Sequence, residues 1–488
     1  MKIYAKLLSI LMLMLSSTAF AGTTLYFTRG PEELFEGEEY SRNWEDTLNW
    51  STVVPAGEVN SPGTYNTSPA GFLPGEGDRA YIGSYSGFFG TDPNYQSTNY
   101  VKVSTSVTVS QLKHQGTFVV RGISAITEDA SINLVLSSFN SYTNDQGTQT
   151  NVVLDNCQWD EDFHLSINVN LFSKVSGNMF IYNKSGSSIE DPDENLANKR
   201  NLYFDAGYKI EVLPDDSGNY NTLYIMNAKT DEVNGHNIHT GDIIISSKIK
   251  TGGHVFLALD NAQQAVAGYT SGVIRFDGSE SNELSATGIQ LINGVVVESG
   301  MKEGAQVSST AIQIMSGSTF RLLASDQVGD SASVLLKNPT SAGGLGGVFE
   351  LNGFSEKIAT LYLYSDPAQA MYGIVDFGQN NVEQVLWAST YMLGGNIIVD
   401  GSQLIIKNYV LGEDHLFFNE SLDDEKLATF VFEGYENGYK IVENIVEHEG
   451  ASVYEYTLAA IPEPALAGVL IGVAAVAAAV VKHRRRVA

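Results

Sequence analysis

The chain has 488 residues, with 28 basic and 56 acidic side chains and a formal charge of −28. So acidic a surface repels nucleic acid and anionic lipid, which removes both as partners of the folded body. A single cysteine, Cys157, excludes an intrachain disulfide framework and reads as a buried small hydrophobe. Stability must then come from a packed core, for which 43% apolar residues provide the material.

The first residues read MKIYAKLLSILMLMLSSTAFAG. Lys2 and Lys6 give a basic start, Leu7 to Leu15 an apolar run, and Ala19-Phe20-Ala21 the small residues that a signal peptidase reads. Residues 1–21 are therefore expected to be a signal peptide cut before Gly22, with Ala19 and Ala21 forming the peptidase site. The run is too short to cross ~30 Å of hydrocarbon comfortably, and Gly22 where a lipoprotein needs Cys speaks against lipidation. Between the terminal segments, residues 22–460 hold 22 basic and 55 acidic residues, a body charge of 22 − 55 = −33.

Residues 22–100 are expected to form an N-terminal cap and opening segment. They contain NWEDTLNWS and, after a Pro/Gly/Ser-rich loop, LPGEGDRAYIG. Trp44 and Trp50 are two of only four tryptophans, and two readings stand for them. The preferred one is an apolar cover over the open end of a β-stack; the other is a platform for stacking sugar rings.

From 101 to 460 helical periodicity is nearly absent. Short alternating or apolar runs such as HLSINVNLF, GDIIISSKI, GHVFLAL, SGVIRFDGS and YGIVDFG are each followed by Gly, Asn, Asp or Ser. Few of the 12 prolines fall inside these runs, so ladders stay intact. Strands without crossover helices predict an all-β fold, as a solenoid of parallel rungs or as sandwiches. A degenerate repeat over several hundred residues favours a right-handed parallel β-helix, with a sandwich kept as the alternative for the first hundred mature residues.

No catalytic, cofactor-binding or metal site is expected. HNIHTGD offers His236, His239 and Asp242, but residues three apart on a strand face opposite sides and no third nitrogen or sulfur ligand is near, so a surface loop is expected. In EDPDENLANKR, Asp191, Asp193 and Asn195 alternate as in a calcium loop. However, Leu196 stands where that loop needs Gly, and Leu202 where it needs Glu. SLDDEK reads as an exposed turn. No nucleophile elbow or phosphate-binding loop occurs. A polysaccharide lyase or glycoside hydrolase is the enzymatic alternative. It usually needs a basic residue, and the strand residue Arg275 is expected to pair with Asp277 instead.

The last stretch is IPEPALAGVLIGVAAVAAAVVKHRRRVA. Ala465 to Val481 holds no charge and as a helix is ~25 Å long, just short of the hydrocarbon core. Lys482, Arg484, Arg485 and Arg486 fix such a helix with its C-terminus in the cytoplasm. Pro462 and Pro464 stop it at the outer side and force extended backbone around Glu463, a segment that a membrane-embedded peptidase can grip.

Three parts of the chain carry a resemblance. NWEDTLNWS, PGEGDRAYIG and VKVSTSVTVSQL, in that order, resemble the opening segment of exported bacterial β-helix proteins of the autotransporter-repeat type. FELNGFSEKIATLYLY, GIVDFGQNN and LIIKNYVLGEDHLFFNESLDDEKLATFVFEGYENG resemble their late rungs and closing segment. Residues 461–488 resemble the PEP-CTERM sorting signal: Pro-Glu-Pro, a transmembrane helix and a terminal Arg cluster. The resemblance implies an exported envelope, surface or matrix structural protein, held in the cytoplasmic membrane at least transiently and processed by signal peptidase and an exosortase-type enzyme. Exopolysaccharide is the outside partner it suggests, and a carbohydrate-binding or polysaccharide-degrading β-helix is the alternative function. An autotransporter passenger needs a C-terminal membrane barrel, where this chain has an apolar segment.

Overall fold

The computed structural model describes residues 23–27, 44–52, 70–75, 78–83, the strands between 100 and 188, and then 201–214, 218–228, 238–260, 272–315, 317–338, 345–379, 382–435 and 438–461. The protein is all-β and built on long parallel sheets. Among the described residues sheet 1 has sixteen strands, sheet 2 twelve and sheet 3 five. Among the described residues one short α-helix, Asp424–Leu427, and one 3-10 turn, Thr47–Asn49, interrupt the strands. The N-terminus of the α-helix is capped by Asp423, whose Oδ1 accepts from the Lys426 amide at 2.8 Å, so SLDDEK is a capped helical turn where an irregular turn was expected.

The order of visits is regular. Gln111–Gln115 lies in sheet 1, Phe118–Gly122 in sheet 2 and Asn133–Leu136 in sheet 3, and the chain then returns to sheet 1 at Val152–Asn156. The same three-sheet circuit repeats until Lys248–Thr251. Sheet 3 ends there, and beyond it strands alternate between sheets 1 and 2. Each circuit lays its strand in parallel on that of the previous circuit.

Alternation along each strand sends one side chain in and the next out, so parallel register stacks like on like. On sheet 2 the inward column runs Ile243, Ile274, Val297, Phe320, Phe349, Val375, Ile406 and Phe432, strand by strand. All eight are buried. On sheet 1 the facing column is Leu223, Val255, Ile289, Ile312, Val334, Leu361 and Tyr391. Burial of each such side chain stabilises by about 1.5–3 kcal/mol, which makes these columns the main source of order in a chain with one cysteine.

The circuit length is not constant. The stacked pair Ile312 and Val334 is 22 residues apart, since 334 − 312 = 22, whereas Met179 and Leu223 are 44 apart, since 223 − 179 = 44. Extra residues leave at the corners while the strands keep register, and for that reason no fixed repeat is visible in the sequence.

The opening segment belongs to sheet 1. Thr24–Phe27 pairs in parallel with Arg79–Gly83, which pairs in parallel with Gln111–Gln115. Trp50–Ser51 closes the edge in antiparallel register. This replaces the sandwich alternative: the segment contributes the first strands of the long sheet. At the other end, Tyr439–His448 and Ala451–Ala460 form an antiparallel hairpin on Asp414–Phe418. Its Tyr456 is buried edge-on against Phe418, and Tyr456 Oη accepts from the Leu422 amide at 2.6 Å.

Candidate functional site

The outward side chains differ in chemistry from sheet to sheet. On sheet 2 one outward column reads Arg275, Glu298, Arg321, Glu350, Asp376 and Lys407 in unbroken register. Glu298 lies between two guanidiniums: Arg275 Nη2 is 2.6 Å from Oε2 and Arg321 Nη1 is 3.1 Å from Oε1. Arg321 also holds Glu350 at 2.9 Å. Burial works against the charge on Arg321, but Glu350 and Glu298 outweigh it and raise its pKa above the ordinary value. The expected Arg275–Asp277 pair is not formed: strand register places Glu298 directly beside Arg275, and Asp277 instead accepts from the Ser246 hydroxyl.

Sheet 3 carries a second ion ladder. Glu211 Oε2 is 2.8 Å from Lys209 Nζ and its Oε1 3.1 Å from Lys250 Nζ, while Lys248 reaches Glu283 at 2.6 Å. These residues line a shallow cleft of about 330 Å³ together with Gly207, Tyr208 and Glu280. Burial alone raises the pKa of Glu211; Lys209 and Lys250 overcome it and leave the carboxyl below the ordinary value. Each lysine lining this cleft has a carboxylate partner, so the cleft is a zipped structural face rather than an anion site.

Sheet 1 has a different outer face. From Tyr224 the register passes through Phe256, Gln290 and Gln313. It continues through Leu335 and Tyr362 to Met392 without a charge over seven strands. The Tyr224 and Phe256 rings stack at 5.1 Å. In the neighbouring column Met315, Lys337, Tyr364 and Gly394 follow one another. Lys337 is neutralised by Asp366 at 3.3 Å and sits 5.0 Å from the Tyr364 ring centre.

A buried polar column runs up the corner ahead of the sheet 1 strands. Gln327 Oε1 accepts from Ser299 Oγ at 2.8 Å and from the Met301 amide at 2.6 Å. Glu356 Oε2 accepts from the Gln327 amide at 2.8 Å, and Gln384 Oε1 from the Gly353 amide at 2.9 Å. Asp414 Oδ2 accepts from the Val410 amide at 2.6 Å. Each side chain closes a turn by accepting from a backbone N–H at the corner. Glu356 Oε1, Gln384 Nε2 and Asp414 Oδ1 are buried without a protein partner. Burial pushes the Glu356 carboxyl up to about 8 against the amides that hold it. The sequence signal for this column is faint: a single polar residue just ahead of each apolar run.

Of the residues singled out from sequence, Trp44 and Trp50 are both fully buried, edge to face at 4.7 Å, with Trp50 Nε1 donating to the Trp44 carbonyl at 2.8 Å. Their rings cover the end of the core and offer no face to a sugar. His239 lies on a strand, Ile238–Thr240, paired antiparallel with Gly186–Ser188, where a loop was expected. Asp242 is 5% exposed and its Oδ1 accepts from the Val273 amide at 2.9 Å, which makes it a corner residue of the coil. Among the described residues no three His, Cys, Asp or Glu side chains are placed to hold a metal ion. Ala19, Ala21, Cys157, Asp191, Asp193, Asn195, Leu196 and His236 lie outside the described residues. So do Pro462, Glu463, Pro464, Lys482, Arg484, Arg485 and Arg486. Among the described residues no helix is long and apolar enough to cross a membrane; the stretch expected to do so, 465–481, is outside them.

Comparison of the chain with protein-family models, with curated proteins and with solved structures returns no match in any of the three.

Proposed function

We propose that the protein is an exported β-solenoid, a right-handed parallel β-helix, that serves as a structural component of the cell envelope, surface or extracellular matrix and is tethered through its C-terminus by a PEP-CTERM-type signal. The observation that carries the reading is the way the folded body ends. The final strand runs to Ala460, and the Ile461 amide donates to the Gly438 carbonyl at 2.7 Å. Pro462 follows at once. A body closed by its own hairpin, joined without a spacer to Pro-Glu-Pro, an uncharged run and an Arg cluster, suits a rod held upright on a removable anchor. Signal peptidase acts at Ala19-Phe20-Ala21 in this reading, and an exosortase-type enzyme acts near Pro462-Glu463-Pro464. The long parallel ladders and the self-paired ion columns support a mechanical role, because they give a stiff body.

Fractionation and intact-mass analysis of the full chain test this. The native sequence is expected to lose its C-terminal peptide, and a variant altered at Pro462, Glu463, Pro464 and Arg484 to Arg486 is expected to keep it in the membrane fraction. Retention of the last residues by the native protein overturns processing.

A further inference from the structure

We propose that the outer face of sheet 1, between Tyr224 and Met392, is a binding surface for an uncharged polysaccharide strand lying along the direction in which the circuits stack. The inference goes beyond the tethering reading and does not depend on it. Three observations carry it. The first is the contrast in charge: this face holds no charged residue in its central column, although the body carries 22 − 55 = −33 and sheets 2 and 3 face solvent with ion ladders. A column cleared of charge on so acidic a body, flanked by the mutually neutralised Lys337 and Asp366, is selective against charged ligands.

The second observation is that the face is not simply apolar. Gln290 spends its Nε2 on His254 and Gln313 its Nε2 on the Thr287 carbonyl, which leaves the Oε1 of each without a protein partner. The hydroxyls of Tyr362 and Tyr364 likewise have none. An apolar protein surface laid here would strip these four groups of water with nothing in return. A hydroxyl-rich ligand supplies donors to the amide oxygens and acceptors to the phenols, and its C–H faces rest on the ring edges and on Leu335 and Met392. The third observation is length. Seven stacked strands extend about 29 Å at ~4.8 Å per step, which suits an extended chain and not a single sugar. A second copy of this body is disfavoured by the same numbers, since two strongly acidic bodies would meet.

The test is affinity electrophoresis of the full chain through gels containing soluble neutral β-1,4-glucan, β-1,3-glucan or mannan, with polygalacturonate as the acidic control. At least one neutral polymer is expected to retard the protein, and polygalacturonate is not. Tyr362→Ser and Gln313→Glu, at outward positions away from the core, are expected to weaken retardation at least fivefold while circular dichroism and melting stay as in the native chain. Should either variant unfold, Tyr364→Ser replaces it. No retardation by any neutral polymer, equal retardation by polygalacturonate, or undiminished binding in folded variants overturns the proposal. So does a dimer of the native chain that the same substitutions dissociate, which would make this face a contact between copies. None of these readouts depends on whether the tail is removed.

Discussion

Gln327 and Glu356 are tied together one circuit apart: the backbone N–H of Gln327 donates to Glu356 Oε2 at 2.8 Å, and the other carboxyl oxygen is buried without a partner. The amides that hold this carboxyl favour its ionised form, but burial outweighs them and raises its pKa from 4.5 to about 8. The folded state therefore binds a proton that the unfolded state has released between these two values. Stability contributed by Glu356 is complete below about pH 4.5, falls at about 1.4 kcal/mol per pH unit as the pH rises, and is lost above about 8. Glu356→Gln keeps the acceptor and cannot ionise. Melting curves at pH 5, 6.5 and 8 are expected to show the variant gaining on the native chain as pH rises; parallel pH profiles would rule this out.

The sheet 2 ladder depends on its middle carboxylate. Glu298→Ala leaves Arg275 and Arg321 facing each other across one vacated position on a half-buried face. A loss of about 2 kcal/mol is expected, because a charge pair is broken from one side. Asp330→Ala, which removes only the exposed 3.4 Å contact with Lys357, is expected to change stability by less than about 0.5 kcal/mol. Urea unfolding of the two variants checks the contrast. Equal effects would mean that the ladder is no more than surface decoration.

Gly288 has φ +61, and an added Cβ would stand 1.8 Å from the Ala311 carbonyl oxygen of the next circuit. Gly288→Ala must therefore push adjacent strands apart and is expected to cost more than about 3 kcal/mol or to prevent folding. Gly412 has φ +86 with nothing within 4 Å of the added carbon. Gly412→Ala is expected to cost only about 1 kcal/mol, from backbone strain alone. Soluble yield and melting temperature of the pair separate close approach from dihedral preference.

The buried Trp44–Trp50 pair predicts structural loss without loss of ligand binding. Trp50→Phe removes the 2.8 Å bond to the Trp44 carbonyl and is expected to cost about 1–2 kcal/mol. Trp50→Ala also empties a large volume and is expected to cost about 3–5 kcal/mol. Folded Trp50→Phe should bind polysaccharide as the native chain does. A selective loss of binding with unchanged stability would restore the sugar-platform reading.

Strand character was legible because it is local. SGVIRFDGS shows its period-two alternation and turn residues in nine letters, and its Ile274 and Phe276 are indeed buried with Arg275 outward. The role of Trp44 and Trp50 as a cover was legible too, from two bulky rings at the start of a strand-rich chain. The partner of Arg275 was not: Asp277 is near in sequence, yet Glu298 is nearer in space because the next circuit brings it alongside. Asp242 and His239 looked like loop residues for the same reason, since strand pairing across 31 or more residues leaves no local mark.

Sequence alone determined the all-β class and the acidity of the body, because composition and short-range periodicity act through immediate neighbours. The tertiary structure decided which residues stack on which. Spacings of 298 − 275 = 23, 356 − 327 = 29 and 256 − 224 = 32 residues bring Arg275 to Glu298, Gln327 to Glu356 and Tyr224 to Phe256, and such contacts separate the ion ladders from the uncharged column. Register between distant strands is set by how apolar columns pack against one another across the core. That is a property of the folded coil as a whole, and no single stretch of the chain encodes it.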